Sequence, residues 1–467
     1  MAKGVRTTHP TYDELAPKWQ RCSDVVDGQD ELHEGRERYL PKLKDEDEAG
    51  YLARLKRSDF YNATWRTIAG LAGMAFRKPP TVTVPSALEA YLSDIDMAGC
   101  ALDDMAKSLV EDALEYGAFG LMVDHPPAPA NVTGLTVASS ERLGLRPLIR
   151  YYEIESVINW RYIRRNNRTV LGLVVLKEEA PVEGDEFSQE TEDRYRVLDL
   201  GGENGSYRQR VFRINKKDED ELVEEIVPLM NGAPLSEIPF RIYGELEEPP
   251  LIDLVDANLA HYQVNSDYRH GLHFTGLPTA VVSGYAAENG EKLYIGSTAA
   301  WVFPDPQAKA SYLEFTGQGL SELREELRSL EQRMAVLGAR MIADEAKQVE
   351  TLGATQIKRS GENSILSSLV QEVSASIEWA LGLFAQWIGQ AGEIVYQINR
   401  DYNPALLDAQ QLTALVSAVQ AGELSSQSLF DLLQRGDLIA PGVTYEEERA
   451  RIDMQTPARP APRPVAA

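Results

Sequence analysis

The sequence predicts an α+β protein, mostly helical, in which helices contain more residues than strands. Apolar residues recur at helical spacing before about residue 80 and again after residue 250. Between about residues 148 and 243, segments rich in Val, Ile, Tyr and Trp alternate with polar turns, which is typical of antiparallel strands. A chain of 467 residues is too long for one core, so we expect about two to four structural regions.

Charge and cysteine content limit the classes of protein to consider. The formal net charge of -25 disfavours tight phosphate binding, which depends on Lys and Arg. It is compatible with an acidic surface past which a DNA duplex moves without binding. Ordinary solubility explains the same charge. Cys22 and Cys100 are too few for a disulfide framework, so we expect assembly in a reducing, intracellular place. No run approaches the roughly 20 apolar residues that span a bilayer, so we expect no membrane partner.

Helices are expected first along the chain. Tyr61, Trp65 and Ile68 follow helical spacing, which predicts one face of a helix that ends before Pro79. A second helix is expected from Ser86 through Tyr116, broken near Gly99. In the β region that follows, the acidic run KKDEDELVEE (216–225) is interpreted as a solvated turn.

Two helices then flank a small β insert. Residues 251–276 form a predicted helix preceded by two prolines, and 277–316 contain short strands separated by Gly and Pro turns. The helix predicted over 317–342 has apolar residues stepping by three and four over three heptads: Leu320, Leu323, Leu327, Leu330, Met334, Leu337 and Met341. This stripe predicts lengthwise packing against other helices, and it leaves open whether those helices belong to the same chain.

The remaining segments alternate between polar and helical character. A polar connector with Gly353 and Gly361 occupies 343–362, and a long helix followed by a strand is predicted over 363–402. Shorter helices are expected over 403–453. The Pro- and Ala-rich segment 454–467 is expected to be a disordered tail.

Motifs for catalysis are absent from the sequence. It contains no GxxxxGK[ST] phosphate loop, no GxSxG elbow and no HExxH pair, so we expect no enzyme and no cofactor. His261, His270 and His273 make a metal site conceivable. Polar residues on a packed helix end are the preferred interpretation, so we assign no metal.

The chain resembles the portal (head-tail connector) proteins of tailed bacteriophages, in particular a group once catalogued as a domain of unknown function. The resemblance extends from about Tyr12 to Asp453. Five segments occur in the expected order: RLKRSDFYNATWRTIAGLAGMAFRKPP, RPLIRYYEIESVINWRY, LAHYQVNSDYRHGLHFTGLPTAVVSG, IKRSGENSILSSLVQEVSASIEWALG and VQAGELSSQSLFDLLQRG.

The resemblance implies a ring, usually a dodecamer, at one capsid vertex of the virion, assembled in the host bacterial cytoplasm. Double-stranded DNA would be packaged through the ring by terminase and later ejected. The implied regions are a wing (1–250), a descending stem helix (251–276), a clip (277–316), an ascending stem helix (317–342), a tunnel loop (343–362), a helix and strand returning to the wing (363–402) and a crown (403–453).

Candidate contact residues follow from the implied regions. The tunnel-loop residues that would reach DNA are Lys347, Gln348, Gln356, Lys358 and Arg359. Alternatively, Lys358 and Arg359 would pair with Glu345, Glu350 or Glu362. Clip aromatics would meet the terminase large subunit and the head-completion adaptor or instead form the clip's own core; they are Tyr294, Trp301, Tyr312 and Phe315. Major capsid and scaffolding proteins are further implied partners. The stripe and the helices near Trp65 and Trp379 are candidates for contacts between copies.

Two alternatives remain open. Another phage structural subunit, such as a capsid or baseplate component, would also be acidic, free of catalytic motifs and oligomeric. The order helix, β insert, helix, polar loop, helix favours the portal interpretation. A hydrolase using an Asp/Glu pair would need clustered carboxylates in a concave site, and the sequence singles out no such pair.

Overall fold

The computed structural model describes residues 4–126, 144–182, 187, 189–276, 279–283, 307, 309–313, 318–341, 364–400, 402, 409–435, 438–439 and 443–455. Helices begin the chain, as predicted: α1 (Pro10–Asp27), α2 (Gln29–Gly35), α3 (Glu48–Arg57) and α4 (Ala63–Ala75). Side chains of His9, Asp47 and Asn62 accept backbone N–H groups at the starts of α1, α3 and α4.

The predicted face of α4 needs correction. Tyr61 precedes the helix, and Trp65 is 53% exposed. Ile68 and Ala72 of the predicted face are buried, together with Leu71 and Ala75. Trp65 matches the helical period, but it lies on the side of the helix that faces away from the core.

The break predicted near Gly99 in the helix from Ser86 to Tyr116 is confirmed, but it is wider than expected. The structure has α5 (Ser86–Glu89) and α6 (Leu102–Glu115), with turns between them. The Asp94 carboxylate accepts the backbone N–H of Gly99, and the Asp96 carboxylate accepts those of Ala98 and Cys100. Carboxylates that bind their own backbone in this way compete with helix formation, which explains the interruption.

The β region is antiparallel, as predicted. A three-stranded sheet has the order β11-β2-β3, and a five-stranded sheet has the order β4-β5-β6-β7-β8. Their strands are β2 (Ala118–Asp124), β3 (Leu148–Glu153), β4 (Val157–Arg165), β5 (Arg168–Pro181), β6 (Thr191–Asp199), β7 (Arg208–Ile214), β8 (Asp220–Ile226) and β11 (Phe240–Gly244). The acidic run at 216–225 is not only a turn, because most of it forms the edge strand β8, where Leu222 pairs with Phe212.

The second half follows the predicted order of helix, strands, helix and helix. Its elements are α7 (Ile252–Gly276), β12 (Thr279–Ser283), β13 (Lys309–Leu313), α8 (Gln318–Arg340) and α9 (Ile365–Trp387). β14 (Val395–Gln397) pairs with β1 (Thr81–Thr83) near the start of the chain. The short hairpin β9 (Leu229–Met230) and β10 (Ala233–Pro234) lies before β11.

Helices α10 (Ala409–Ala421), α11 (Ser426–Arg435) and α12 (Tyr445–Gln455) follow in the segment predicted to be helical. Helix α12 extends two residues into the predicted tail, and residues 456–467 lie outside the described part of the chain. Within the described ranges, none of the helices is both long and apolar enough to cross a bilayer.

The largest core joins elements that are distant in sequence. Buried residues of α4, α6 and α9 pack together, including Leu109, Ile377 and Phe384. The first turn of α7 and the last turn of α8 enter the same core through Leu254 and Met341. The start of α7 and the end of α8 are therefore fixed by the core of the protein.

Candidate functional site

Helices α7 and α8 form an antiparallel pair joined at one end by the strands β12 and β13. His261 on α7 lies 3.7 Å from Glu331 on α8, and ten residues further along α7 the backbone of Gly271 lies against Leu320. Residue numbers rise along one helix as they fall along the other, which defines the antiparallel arrangement. The 25 residues of α7 span about 37 Å at about 1.5 Å per residue.

The pair has a root in the core and an outer end whose apolar side chains are less buried. At the root, Leu254 and Val255 of α7 and Met341 after α8 are buried. At the outer end, Leu272 is exposed and Leu320 is only half-buried. The order of helix, strands and helix predicted from the sequence is therefore present, with the strand pair at the outer end.

The heptad stripe of α8 is buried within its own chain. Leu327, Leu330, Met334 and Met341 are buried, whereas Leu320, Leu323 and Leu337 are half-buried. Helix α7 packs along α8 on this side, and Gly338 approaches Thr67 of α4 near the root. The question left open by the sequence is answered: the stripe packs against helices of the same chain, and the exposed faces of the pair are mainly charged.

Asn258 fastens α7 to the start of α4. Its buried side-chain oxygen accepts the backbone N–H groups of Ala63 and Thr64 and the Thr64 hydroxyl, each at 3.0 Å. Its amide nitrogen donates to the backbone oxygen of Tyr61 at 2.8 Å. The sequence analysis missed this residue. The available signal was its position four residues from both Leu254 and Tyr262, on the buried face of a predicted helix.

Arg54 fastens α3 to the middle of α7. Its guanidinium is 1% exposed and makes two hydrogen bonds of 2.9 Å to the Glu46 carboxylate. It also donates to the Ser266 hydroxyl at 3.3 Å and to the Pro41 backbone oxygen at 2.7 Å. These bonds lower the pKa of Glu46 below its ordinary value, chiefly through the hydrogen bonds from Arg54. Because these hydrogen bonds satisfy the buried charge, they hold α3 in a fixed position against α7.

Three histidines, His261, His270 and His273, lie on α7. Among the described residues, no group of three His, Cys, Asp or Glu side chains is placed to hold a metal ion. Burial lowers the pKa values of His261 and His270, which favours their neutral forms. His273 lies 3.5 Å from Arg57 at its ring nitrogen. These side chains take part in packing between α7, α3 and α8.

The clip is described only through its strand pair. β12 and β13 are antiparallel, with Val281 opposite Ser311 and Tyr312 opposite Ala280. The side chain of Tyr312 is outside the described part of the structure. Tyr294, Trp301 and Phe315 also lie outside the described residues, so the predicted clip surface remains a prediction.

The tunnel-loop candidates lie outside the described residues as well; they are Lys347, Gln348, Gln356, Lys358 and Arg359. The residues on either side of this segment are described. The backbone N–H of Leu366 donates to the backbone oxygen of Met341 at 3.0 Å. The described residues on the two sides of this segment therefore meet at the root of the helix pair.

Trp65 and Trp379, the other candidates for contacts between copies, have different surroundings. Trp65 is exposed on α4. Trp379 of α9 is half-buried, and the Arg241 guanidinium lies 4.6 Å from its ring centroid. Trp379 also lines an open groove with Leu235 and Ile238, so only Trp65 presents most of its ring to solvent.

A group of carboxyls lies where α1, α6 and the turn after β3 meet. Burial, with a smaller contribution from nearby acidic residues, raises the pKa values of Glu115 and Glu155 to about 7. Both carboxyls have Tyr116 as a hydrogen-bonding neighbour. The described residues place no metal ligand set here. The group therefore affects the pH dependence of folding, which is a testable property.

Family comparison concerns the region that contains the helix pair. Residues 250–388 match the family model described as Domain of unknown function (DUF4055). The match begins at the first turn of α7 and ends just after α9, so it includes both helices of the pair and the segment between Met341 and Leu366. It confirms the resemblance to a group catalogued as a domain of unknown function.

Three similar solved structures come from gene transfer agent (GTA) particles. The "Virion of native gene transfer agent (GTA) particle" has a TM-score of 0.41 and 12% identity, covering 86% of this chain and 98% of that chain. The "Neck of empty GTA particle computed with C6 symmetry" has a TM-score of 0.40 and 14% identity, covering 81% and 92%. The "Neck of native GTA particle computed with C12 symmetry" has a TM-score of 0.38 and 14% identity, covering 79% and 89%. The comparison with curated proteins gives no match.

Proposed function

We propose that this chain is one subunit of a portal ring, the conduit through which double-stranded DNA enters and leaves a phage-like particle. One feature supports this function most strongly: an antiparallel helix pair, rooted in the core, has a strand pair at its other end. A monomer gains little from this arrangement. In a ring, the pairs of neighbouring copies would stand side by side as the wall of a channel.

The charge of the chain suits a conduit that does not hold its cargo. With a net charge of -25, the wall would repel phosphates and give the duplex no stable register. The segment between Met341 and Leu366 starts and ends at the root of the pair. From that position Lys358 and Arg359 would touch the duplex briefly, as single cations in an acidic surrounding.

The proposed role involves no chemistry by this chain. A separate terminase would hydrolyse ATP and drive DNA inward after docking at the clip, and a head-completion adaptor would later occupy the same surface.

A capsid or baseplate subunit remains the second candidate function, because either would also be acidic and oligomeric. Neither of them needs an antiparallel helix pair around a central hole.

Electron microscopy of the purified full chain tests the ring directly. We expect closed rings with a central hole in negative stain, with a mass that is a whole multiple of the 51.9 kDa chain. Plates, sheets or shells without a hole would support the capsid or baseplate candidate. A stable monomer at high protein concentration would contradict both candidates.

A charge reversal tests the contact with DNA. In particles assembled around a variant with Lys358→Glu and Arg359→Glu, we expect shorter packaged DNA, because the loop would then repel phosphates. The matched control is Lys44→Glu with Lys56→Glu, two exposed lysines distant from the root in sequence. Full-length packaging in the loop variant would remove the case for DNA contact by these residues.

A further inference from the structure

The five-stranded sheet has two outer strands of opposite charge. β4 and its turn into β5 contain Arg161, Arg164, Arg165 and Arg168, with no acidic residue between the first and the last; we call these four residues the basic edge. β8 and the turn before it form the acidic edge: Asp218, Glu219, Asp220, Glu221, Glu224 and Glu225, with no basic residue among them. β4 and β8 are the two ends of the strand order, so the charges lie on opposite sides of one sheet.

The basic edge is not neutralised by the described part of its own chain. No described carboxylate lies in ion-pair range of its four guanidinium groups; Arg164 donates to the Asn167 side-chain oxygen instead. Arg165 donates to the backbone oxygens of Gly205 and Ser236 at 2.7 and 3.1 Å, which holds the hairpin in place. Tyr162, between these arginines, is 55% exposed. The surface therefore combines unpaired positive charge with an exposed aromatic ring.

The acidic edge retains negative charge after its internal ion pairs are counted. Asp218 pairs with Arg6, Glu221 with Arg213 and Glu225 with Arg208. Within the described ranges, Glu224 has no ion-pair partner. The neighbouring side chains Leu222 and Val223 are exposed. An outer strand with exposed apolar side chains and free backbone groups is a favourable surface for a second polypeptide.

We propose that the basic edge of one copy contacts the acidic edge of the next copy, head to tail around the ring. This inference rests on the proposed function and assigns the contact that would build it. Because the two edges lie at opposite ends of one rigid sheet, a chain cannot pair them with each other. A contact between them uses each edge once per copy, and a repeated contact of that kind closes into a ring when the rotation allows.

A second copy fits these edges better than a nucleic acid does. DNA would satisfy the arginines and leave the acidic edge without a role. A second copy satisfies both edges with complementary charge, which also fixes the direction of assembly. It covers the exposed side chains Tyr162, Leu222 and Val223 as well.

Two charge-reversed variants test the contact. The basic-edge variant has Arg161→Glu, Arg164→Glu and Arg168→Glu, and keeps Arg165 because it supports the hairpin backbone. The acidic-edge variant has Glu219→Arg and Glu224→Arg; neither glutamate forms an ion pair with a described residue. The control variant, Lys44→Glu, Lys56→Glu and Lys107→Glu, makes the same change of net charge as the basic-edge variant at exposed sites on other elements.

Assembly is measured by sedimentation and negative stain, with circular dichroism to confirm that each variant is folded. We expect the wild type and the control variant to form rings, and each edge variant alone to assemble at least tenfold more weakly. An equimolar mixture of the two edge variants should restore rings, because each then meets an edge of opposite charge. Restoration in the mixture is a result that general loss of folding cannot produce.

The other outcomes overturn the inference. If wild-type rings form and the edge variants also assemble alone, the ring stands and this contact is wrong. This contact is also wrong if the variants are folded but form no rings, either alone or in the mixture. A basic-edge variant that assembles normally but loses binding to duplex DNA fragments would make the arginines a nucleic-acid surface. A wild-type monomer overturns the ring and the contact together.

Discussion

The guanidinium of Arg54 is buried between α3 and α7, where Glu46, Ser266 and Pro41 accept its hydrogen bonds. Arg54→Met fills most of the volume but leaves the Glu46 carboxylate without its cation. Breaking a buried ion pair on one side costs about 3 to 5 kcal/mol, so we expect a loss of about 3 kcal/mol in the free energy of unfolding by urea. Arg36→Met, at an exposed ion pair with Glu48, should cost less than about 1 kcal/mol. A small loss at Arg54 would mean that Glu46 turns to water when its partner is removed.

The buried carboxyls of Glu115 and Glu155 give a pH-dependent stability of opposite sign to the Arg54 pair. Their pKa values are raised to about 7 in the folded chain, so they hold protons that the unfolded chain releases above its ordinary value of 4.5. The unfolded state binds fewer protons between about pH 4.5 and 7. Folding stability therefore falls as the pH rises through that window and levels off above it.

The variant Glu115→Gln with Glu155→Gln should remove this loss. We expect it to be more stable than the wild type by about 1 to 2 kcal/mol at pH 8 and similar to it at pH 4. Thermal and urea unfolding at both pH values provide the measurement. The exposed control Glu14→Gln should show the same small difference at pH 4 and pH 8. Equal effects of the double variant at the two pH values would show that folding does not raise the pKa values of these carboxyls.

At the scale of elements, the stripe of α8 determines how the helix pair is held. Met334 is 3% exposed and belongs to the main core, whereas Val336 on the same helix is 54% exposed. Met334→Ala should lower the free energy of unfolding by about 2 to 5 kcal/mol, because it leaves a cavity. Val336→Ala is the matched control and should change it by less than about 0.5 kcal/mol. If Met334→Ala destabilises only the assembled ring, and not the dissociated chain, the stripe would belong between copies instead.

The sequence predicts the long helices best, because α7, α8 and α9 each combine sustained apolar periodicity with a clear start. It fails where a short side chain competes with the backbone, as Asp94 and Asp96 do between α5 and α6. It also fails for β8, whose acidic composition is rare in strands but suits an exposed edge. The pairing of Thr81 with Gln397 depends on contacts across the whole chain, which local patterns do not contain.

For the candidate site, periodicity predicts that a stripe packs but not what it packs against. The stripe alone fits both a bundle within one chain and a wall between chains, and only the structure places α7 over it. Asn258 and Arg54 were missed because a single polar residue in a helix has the same local sequence whether it is buried or exposed. The basic run in β4 and the acidic run in β8 are visible in the sequence. Only the strand order shows that they lie on opposite edges of one sheet.

At the scale of the whole molecule, there are two candidate contacts that would hold the ring together. One is formed by the segment at the outer ends of α7 and α8, and the other by the edges of the five-stranded sheet. Residues 274–317 join the outer ends of α7 and α8, and their removal leaves the roots in the core untouched. The ends to be rejoined are close, because Gly271 lies against Leu320. A three-residue Gly/Ser turn can connect two antiparallel helices at that distance.

We expect the shortened chain to fold with a free energy of unfolding within about 1 kcal/mol of the full chain, since closing a shorter connection costs little entropy. It should still form rings of the same subunit number, because the edges β4 and β8 are intact. Mass measurement and negative stain of the shortened chain provide the test, with the full chain as the control. Folded monomers would instead place the decisive contacts between copies in the removed segment. The sheet edges are unchanged in this variant. That result would therefore show that the edges alone are not sufficient for assembly, and that the decisive contact lies in the clip and not in the wing.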